Sequence, residues 1–306
     1  MSFLGWIDRC NSYDLAAFRP FCCAGTHLGW VHDDLIPVLA RDEAIFHVSE
    51  SVVRLSPALA TPQARTAALS RMTDRWFAEG TLPAWRGEHY RAATALDAPE
   101  LFSIERAAAP SLGLRAWGIH VNGYVRRTDG LHMWVARRAS DRPVAPGKWD
   151  HLIAGGLPSG MTPRENLVKE ADEEAGLPPD VAGRAIATGY VSYCFADHGD
   201  RLRPDTLLTY DLELPEEVTP VNTDGEVESF ELWPIARVVE AVRDTAGFKA
   251  NCNLVIIDFL VRHQVITPGD TPGYQAIVDG LRQPFPTMDA KTDLWADGAA
   301  MPATTA

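Results

Sequence analysis

The sequence predicts a protein of the α/β (α+β) class with two domains. The chain has 306 residues, which suits two modest domains better than one. Segments rich in β-branched and aromatic residues follow one another from Ala116 onwards, with helical patterns between them. Hydrophobic residues make up 46% of the chain, enough to fill a sizeable core. We expect an N-terminal domain at residues 1–110, a larger domain at 111–265 and a C-terminal extension at 266–306.

The clearest element of the N-terminal region is a long helix. Thr61 is suited to cap it and Pro62 to occupy its first position, and the pattern runs towards Glu79. Met72 and Trp76 recur at helical spacing, which indicates a face that packs into a core.

After residue 115 the sequence predicts a series of strands with helices between them. The predicted strands are Ala116–Val125, His132–Arg138, Trp149–Ala154, Ala185–Phe195, Thr206–Leu214 and Val227–Trp233. The predicted helices are Pro163–Ala175, Ile235–Arg243 and Asn251–His263. Past Pro284 the periodicity ends, and we expect roughly the last dozen residues to be disordered.

The charge and hydropathy of the chain exclude some classes of partner. The formal net charge is −13, whereas non-specific binding to nucleic acid or to a membrane surface needs a basic surface. The N-terminus lacks a charged segment followed by a long apolar run, and no stretch approaches the ~18 apolar residues of a membrane span. We therefore expect a cytoplasmic protein that binds neither nucleic acid nor membrane.

The cysteines and histidines have no spacing typical of a metal site. The five cysteines are odd in number and scattered, unlike a disulfide framework or a zinc site, and are expected to be reduced. The histidines also lack metal-ligand spacing, and magnesium rarely takes imidazole. The sequence therefore predicts no metal site built from these residues. The cysteines are Cys10, Cys22, Cys23, Cys194 and Cys252.

The sharpest local pattern is a short helix near the middle of the chain. Thr162 is suited to cap it, Pro163 to begin it, and Glu165 to complete a capping box with Thr162. Gly176 supplies a left-handed stop, and Pro178 prevents the helix from continuing. A helix over Pro163–Ala175 follows from these signals.

One face of this helix is crowded with carboxylates. Glu170, Glu173 and Glu174 stand at i, i+3 and i+4, where like charges repel by a few tenths of a kcal/mol per pair. The last turn of a helix also disfavours negative charge. A divalent cation resolves this conflict, and Mg²⁺ prefers carboxylate oxygens together with water and substrate phosphates. We interpret the three side chains as metal ligands, with a solvated acidic face as the alternative.

The same segment resembles the Nudix box. The run from Lys169 to Leu177 is similar to its second half, R-E-U-x-E-E-x-G-U, and Gly155 lies at the spacing of its first glycine. Gly155 and Gly156 open a turn that directs the helix, and Gly176 is the glycine of the box. Two positions depart: Lys169 replaces an arginine, and Met161 falls where a glutamate is usual. In the Nudix box the usual arginine and the usual glutamate commonly form a salt bridge. Because this chain has neither residue, we expect its loop to be braced differently.

The resemblance extends over residues 15–280, to Nudix proteins of the thiamine-pyrophosphokinase-associated group with an N-terminal domain of unknown function. It implies a Nudix-fold α/β/α sandwich with a mixed sheet, preceded by a smaller α+β domain. It also implies a Mg²⁺-dependent pyrophosphohydrolase, with Mn²⁺ as a possible substitute. The segments that carry it are 18–21, 29–31, 85–90, 104–108, 222–228, 248–252 and 257–263.

The resemblance and the acidic face together suggest catalytic roles. Glu173 and Glu174 are expected to be catalytic as well as metal-binding, and Glu226 or Glu228 is a candidate general base, with two surface glutamates as an equal alternative. Phosphate contacts are expected from a set of basic residues that could equally be solvated surface. These residues are Arg138, Arg201, Arg203 and Lys249.

The resemblance suggests thiamine diphosphate or its oxidised analogues as the substrate, converted to the monophosphate and phosphate. Two alternatives stay open. The first is a hydrolase of nucleoside diphosphate derivatives such as ADP-ribose or dinucleotides, since one scaffold hosts many substrates. The second is a non-catalytic ligand-binding module, favoured by Met161 and Lys169 and disfavoured by the intact glutamates. A homodimer is a further possibility.

Overall fold

The computed structural model describes residues 1–288. Their contacts divide the chain into two compact units. The sheet unit comprises Met1–Ser12, Trp117–Phe195 and Asp205–Pro284, and the N-terminal unit comprises Tyr13–Ala116, Ala196–Pro204 and, of the described residues, 285–288. The boundaries expected at residues 110 and 265 stay predictions of the sequence, and the disorder expected at the C-terminus lies outside the described residues.

Helix α1, Phe3–Cys10, begins the chain and belongs to the sheet unit. Ser2 caps it, because its hydroxyl accepts from the Gly5 N–H at 2.9 Å. Phe3, Trp6 and Ile7 are buried in the core of the sheet unit. This helix was not predicted from the sequence.

The N-terminal unit contains a four-stranded mixed sheet, a long helix and a two-stranded hairpin. Its elements are β1 Phe18–Cys23, β2 Thr26–His32, α2 Ile36–Leu39, β3 Phe46–Val48, β4 Val53–Leu55, α3 Pro62–Ala78, β5 His89–Ala92 and β6 Phe102–Glu105. The four-stranded sheet has the order β2-β1-β4-β3, and β1 and β4 are parallel. The predicted long helix is confirmed: Thr61 Oγ1 accepts from the Ala64 N–H at 3.1 Å, and Met72 and Trp76 are buried.

The sheet unit is built on a seven-stranded sheet. Its strands are β7 Ala116–Arg127, β8 Gly130–Arg138, β9 Trp149–Asp150, β10 Ile153–Gly156, β11 Ile186–Asp197, β12 Arg201–Glu213 and β13 Val227–Pro234. The main order is β11-β12-β7-β8-β13, and β10 also pairs with β7 and β9 with β8. Its later helices are α4 Pro163–Ala175, α5 Pro179–Ala182, α6 Ile235–Asp244, α7 Ala250–Arg262 and α8 Tyr274–Gly280.

One predicted strand of this unit is wrong. The segment Trp149–Ala154 forms two strands, because Asp150 pairs with Ala136 on β8 whereas Ile153 pairs with Val121 on β7. The chain between Asp150 and Ile153 crosses from one partner strand to the other. The residue types of this segment alone cannot reveal that change of partner.

Two hydrophobic clusters, one on each face of the sheet, pack helices against it. Ile119 and Val121 of β7 pack in the cluster that contains Leu167 of α4, while Tyr124 of β7 packs in the cluster that contains Phe259 of α7. Since successive side chains of a strand point to opposite faces, α4 and α7 lie on opposite sides of the sheet. The predicted α/β/α sandwich is confirmed. Within residues 1–288, every helix falls short of the length and apolarity that crossing a membrane would require.

Candidate active site

Helix α4 begins and ends as its sequence dictates. The Thr162 hydroxyl accepts from the Glu165 N–H at 3.2 Å, and the Glu165 carboxylate accepts from the Thr162 N–H at 2.8 Å. This reciprocal pair is a complete capping box. Gly176 ends the helix in the left-handed region at φ 60°, and its N–H donates to Asp172 O at 3.1 Å. These local bonds fix where the glutamates of the last two turns stand.

The turn before α4 is braced by an amide. Asn166 is fully buried, and its Nδ2 donates to Gly156 O at 2.9 Å. The bond ties the first turn of α4 to the end of β10. Met161 and Lys169 occupy the positions at which a glutamate and an arginine would brace the loop. In this chain the hydrogen bond from Asn166 braces the loop instead.

Lys169 binds the acidic face itself. Its Nζ lies 2.7 Å from Glu173 Oε2 and 3.3 Å from Glu170 Oε1. One ammonium group therefore bridges two of the three predicted metal ligands. The side chain of Glu173 is 48% exposed and that of Glu170 only 13%, so the two carboxylates stand at different depths.

Glu170 and Glu174 face strand β10. A Cβ atom on Gly155 would lie 2.6 Å from Glu170 Cγ, so only glycine allows the Glu170 side chain to pack against the bare backbone there. Glu174 Oε2 accepts from the Ala154 N–H at 2.9 Å. The strand thus positions both side chains, which lie one helical turn apart.

The electrostatics of Glu174 fit a cation site. Burial raises the pKa of the Glu174 carboxyl well above its usual range. The negative charges of Glu170, Asp150 and Glu226 raise it further, although the hydrogen bond from Ala154 lowers it. A divalent cation would relieve this repulsion, and carboxylate oxygens are the donors that Mg²⁺ prefers. The residues present therefore fit a magnesium ion.

The structure separates the two candidate bases. Glu226 forms an ion pair with Arg142 Nη1 at 2.6 Å and is close enough to Glu174 to act on its pKa. Glu228 is exposed and lies at an irregularity in the pairing of β13 with β8. Of the two, Glu226 lies in the same electrostatic group as the helix carboxylates.

The four basic residues predicted to bind phosphate fall into two groups. Arg138 Nη1 lies 2.7 Å and Lys249 Nζ 3.6 Å from Asp150 Oδ2, so both are held in the sheet unit by one buried carboxylate. Arg201 pairs with Asp34 within the N-terminal unit. Arg203, in the same unit, has its Nη1 3.6 Å from Asp197 Oδ2.

Family models match both parts of the chain. Residues 2–116 match a domain of unknown function (DUF4743), and residues 117–251 match the NUDIX domain. Nudix hydrolase 24, chloroplastic, of Arabidopsis thaliana is 44% identical over 284 residues, which cover 92% of this chain and 77% of that protein. The chain belongs to the Nudix hydrolase family. The predicted resemblance to Nudix proteins with an N-terminal domain of unknown function is confirmed, and the chain is an enzyme of this hydrolase class.

Two further Nudix proteins illustrate the range of similarity. Nudix hydrolase 20, chloroplastic, of A. thaliana is 42% identical over 291 residues, which cover 92% of this chain and 77% of that protein. The crystal structure of a Nudix hydrolase from M. smegmatis, RenU, is 18% identical with a TM-score of 0.36. The match covers 49% of this chain and 87% of that chain.

The sheet unit also contains a buried polar cluster that the sequence did not reveal. It consists of His120, Asp150, His151 and Cys252, whose potential ligand atoms all lie within 4.8 Å of one another. Asp150 and His151 are neighbours in the sequence, but His120 lies 31 residues before His151 and Cys252 lies 102 residues after Asp150, so no local spacing joins the whole set. The pattern of strands offers one signal: His120 alternates with Ile119 and Val121 and so points to the α7 side of the sheet.

Burial and neighbouring charges shift the pKa values of the four residues in the cluster. Burial lowers the pKa of both histidines, which favours the neutral form of each imidazole. Burial would raise the pKa of Asp150, but Lys249, His151 and Arg138 outweigh it and hold the carboxyl well below its usual range. Burial and the nearby Asp150 raise the pKa of the Cys252 thiol well above its usual range.

Proposed function

We propose that this Nudix hydrolase is a Mg²⁺-dependent pyrophosphohydrolase that cleaves a P–O–P link in a small organic diphosphate. The observation that carries the proposal is the convergence of Glu170 and Glu174 on strand β10, with Glu173 joined to Glu170 through Lys169. These carboxylates repel one another, and a divalent cation bound among them would remove that repulsion.

Glu170, Glu173 and Glu174 would hold the metal. When bound, Mg²⁺ supplies charge neutralisation at the diphosphate and lowers the pKa of water. An acidic protein would repel an anionic substrate. A cation held by the helix carboxylates would make the local charge positive and so attract the substrate.

Glu226 is the general base in this proposal, with its carboxylate oriented by Arg142. Its effect on the pKa of Glu174 supports this role, and the exposed Glu228 provides a matched comparison. We expect Glu226→Gln to lower kcat by about 10²- to 10⁴-fold, the range for a general base. Glu228→Gln should keep kcat within about twofold. Equal kcat values in the two variants would remove Glu226 from this role.

For phosphate contacts we propose Lys249, which is 23% exposed. Arg138 is less exposed, and two of its nitrogens donate hydrogen bonds to Val144 O. Arg138 is therefore better suited to positioning Asp150 than to binding phosphate. Arg201 and Arg203 remain predicted phosphate contacts on the sequence alone.

Thiamine diphosphate and its oxidised analogues are the substrates we propose first, on the resemblance of residues 15–280. The test is phosphate release from a panel that also includes ADP-ribose and dinucleotides, with Mg²⁺ and then with EDTA. We expect release only with Mg²⁺ and its loss in Glu174→Gln. Tight binding without release from any diphosphate would support the ligand-binding module instead. The cytoplasmic location and the homodimer stay predictions.

A further inference from the structure

The buried cluster under the first turn of α7 joins three elements of the sheet unit. His120 comes from β7, Asp150 and His151 from β9 and the residue after it, and Cys252 from α7. The four residues are at most 4% exposed. Such a group of neutral imidazoles, a thiol and a carboxylate inside a core is costly unless its polar atoms are satisfied.

The contacts within the cluster converge on one point. His120 Nδ1 and His151 Nδ1 are 2.8 Å apart, and Cys252 Sγ lies 2.7 Å from Asp150 Oδ1. His151 Nδ1 is 3.7 Å from the same Asp150 oxygen. Two nitrogens, one sulfur and one oxygen from four residues thus surround a common position.

A nitrogen of the cluster is left over. His151 Nε2 has no hydrogen-bond partner among residues 1–288, although the His151 side chain is fully buried. A neutral imidazole carries one N–H and one lone pair, so either a donor or an acceptor goes unsatisfied here. Both ring contacts that His151 makes within the cluster are made by Nδ1, so Nδ1 is the nitrogen that could bind an ion.

We propose that His120, Asp150, His151 and Cys252 form a structural zinc site, separate from the carboxylates of α4. The set of two imidazoles, a thiolate and a carboxylate is one that Zn²⁺ takes, and four protein ligands with no open position are typical of a structural site. On binding, the thiol proton of Cys252 passes to solvent and the sulfur becomes the ligand.

A tetrahedral ion would require the four ligand atoms to shift by about 0.5–1 Å from their positions here. With Zn–N bonds of about 2.05 Å, two nitrogen ligands lie about 3.3 Å apart, so the histidine nitrogens need to separate by about 0.5 Å. Cys252 Sγ and Asp150 Oδ1, now 2.7 Å apart, need to separate to about 3.5 Å. Ligand atoms that lie as far as 4.8 Å apart need to come closer. The ion would join β7, β9 and α7 at one point.

The basic residues around Asp150 support the arrangement. Arg138 and Lys249 both approach Oδ2, whereas Cys252 and His151 approach Oδ1. One carboxylate oxygen is therefore held by outer partners while the other faces the cluster. Outer hydrogen bonds of this kind orient the ligands of metal sites.

The test uses the full chain and the metal alone. Protein purified without chelator is assayed for bound zinc, and the zinc is then exchanged for Co²⁺. We expect about one zinc per chain and a near-ultraviolet sulfur-to-cobalt charge-transfer band, because a thiolate is a ligand. Cys252→Ser should lose the band. Cys194→Ser is the matched control, since Cys194 is equally buried in the same unit but outside the cluster, and it should keep the band.

Two further results separate this site from the carboxylates of α4. Glu174→Gln should keep the band, because carboxylate ligands give no sulfur transition. His120→Gln should bind zinc at least about tenfold more weakly in competition with a chelator. The proposal is overturned if the wild-type chain gives no band and holds no zinc, or if Glu174→Gln removes the band. Neither outcome bears on hydrolysis, so the two proposals fail separately.

Discussion

Gly155 offers the sharpest test of how strand β10 positions the acidic helix. Gly155→Ala would place a methyl group 2.6 Å from Glu170 Cγ, whereas ordinary contacts of this kind lie at 3.4–4 Å. Glu170 would have to move by about 1 Å, and a misplacement of that size costs about 10²-fold in rate. We therefore expect kcat/KM to fall by about 100-fold and Mn²⁺ affinity to fall by about 10- to 100-fold, as for other changes that disturb ligand orientation.

The assay compares Gly155→Ala with Gly269→Ala. The φ of Gly269 lies outside the left-handed region, and a Cβ there meets only Thr267 Oγ1 at 3.8 Å, so this control should keep wild-type kinetics. Phosphate release is measured with the best diphosphate of the panel, and Mn²⁺ binding by titration calorimetry. If Gly155→Ala matched Gly269→Ala in both measurements, the positioning of Glu170 by this strand would be refuted.

Three further substitutions test the forces around the site. Thr162→Ala should lower the free energy of unfolding by about 1 kcal/mol in urea titrations, because it removes the N-cap of α4; an unchanged midpoint would contradict this. Asn166→Ala should cost about 1 kcal/mol or more by freeing Gly156 O, again by urea titration, and unaltered stability would exclude the brace. Asp211→Asn should cost about 3 kcal/mol at pH 7, since it breaks a buried pair with Arg262. Burial alone would raise the Asp211 pKa, but hydrogen bonds from Arg262 outweigh it and lower the value. This stabilisation is present above the unfolded pKa of about 3.9 and is lost as pH falls below it. The difference in melting temperature from wild type should therefore narrow below about pH 4, and a constant difference would be inconsistent with it.

The features best predicted from the sequence are those that residues close together in the chain determine. The bounds of α4 matched residue for residue, because Thr162, Glu165 and Gly176 act on the backbone within four positions. The acidic face followed from the same helical geometry. The α/β (α+β) class followed from strands with helices between them. The sandwich itself was implied by the resemblance to the Nudix family.

What the sequence could not reveal depends on contacts between distant segments. The split of Trp149–Ala154 depends on which strand each residue pairs with, and the brace from Asn166 depends on where Gly156 lies. The cluster of His120 and Cys252 required the register of β7 and the packing of α7, neither of which a ligand-spacing rule contains. The ion pair of Arg138 with the buried Asp150 also cannot be inferred from spacing.

The most direct test of the magnesium site on α4 is a titration with Mn²⁺ followed by electron paramagnetic resonance. Free Mn²⁺ gives a strong signal that weakens on binding, so the wild-type chain should reduce it stoichiometrically in the presence of a diphosphate. A Glu170→Gln, Glu174→Gln double variant that remains folded should leave the signal of free Mn²⁺ nearly unchanged. Equal Mn²⁺ uptake by the two proteins would contradict the assignment of the acidic face as the metal site.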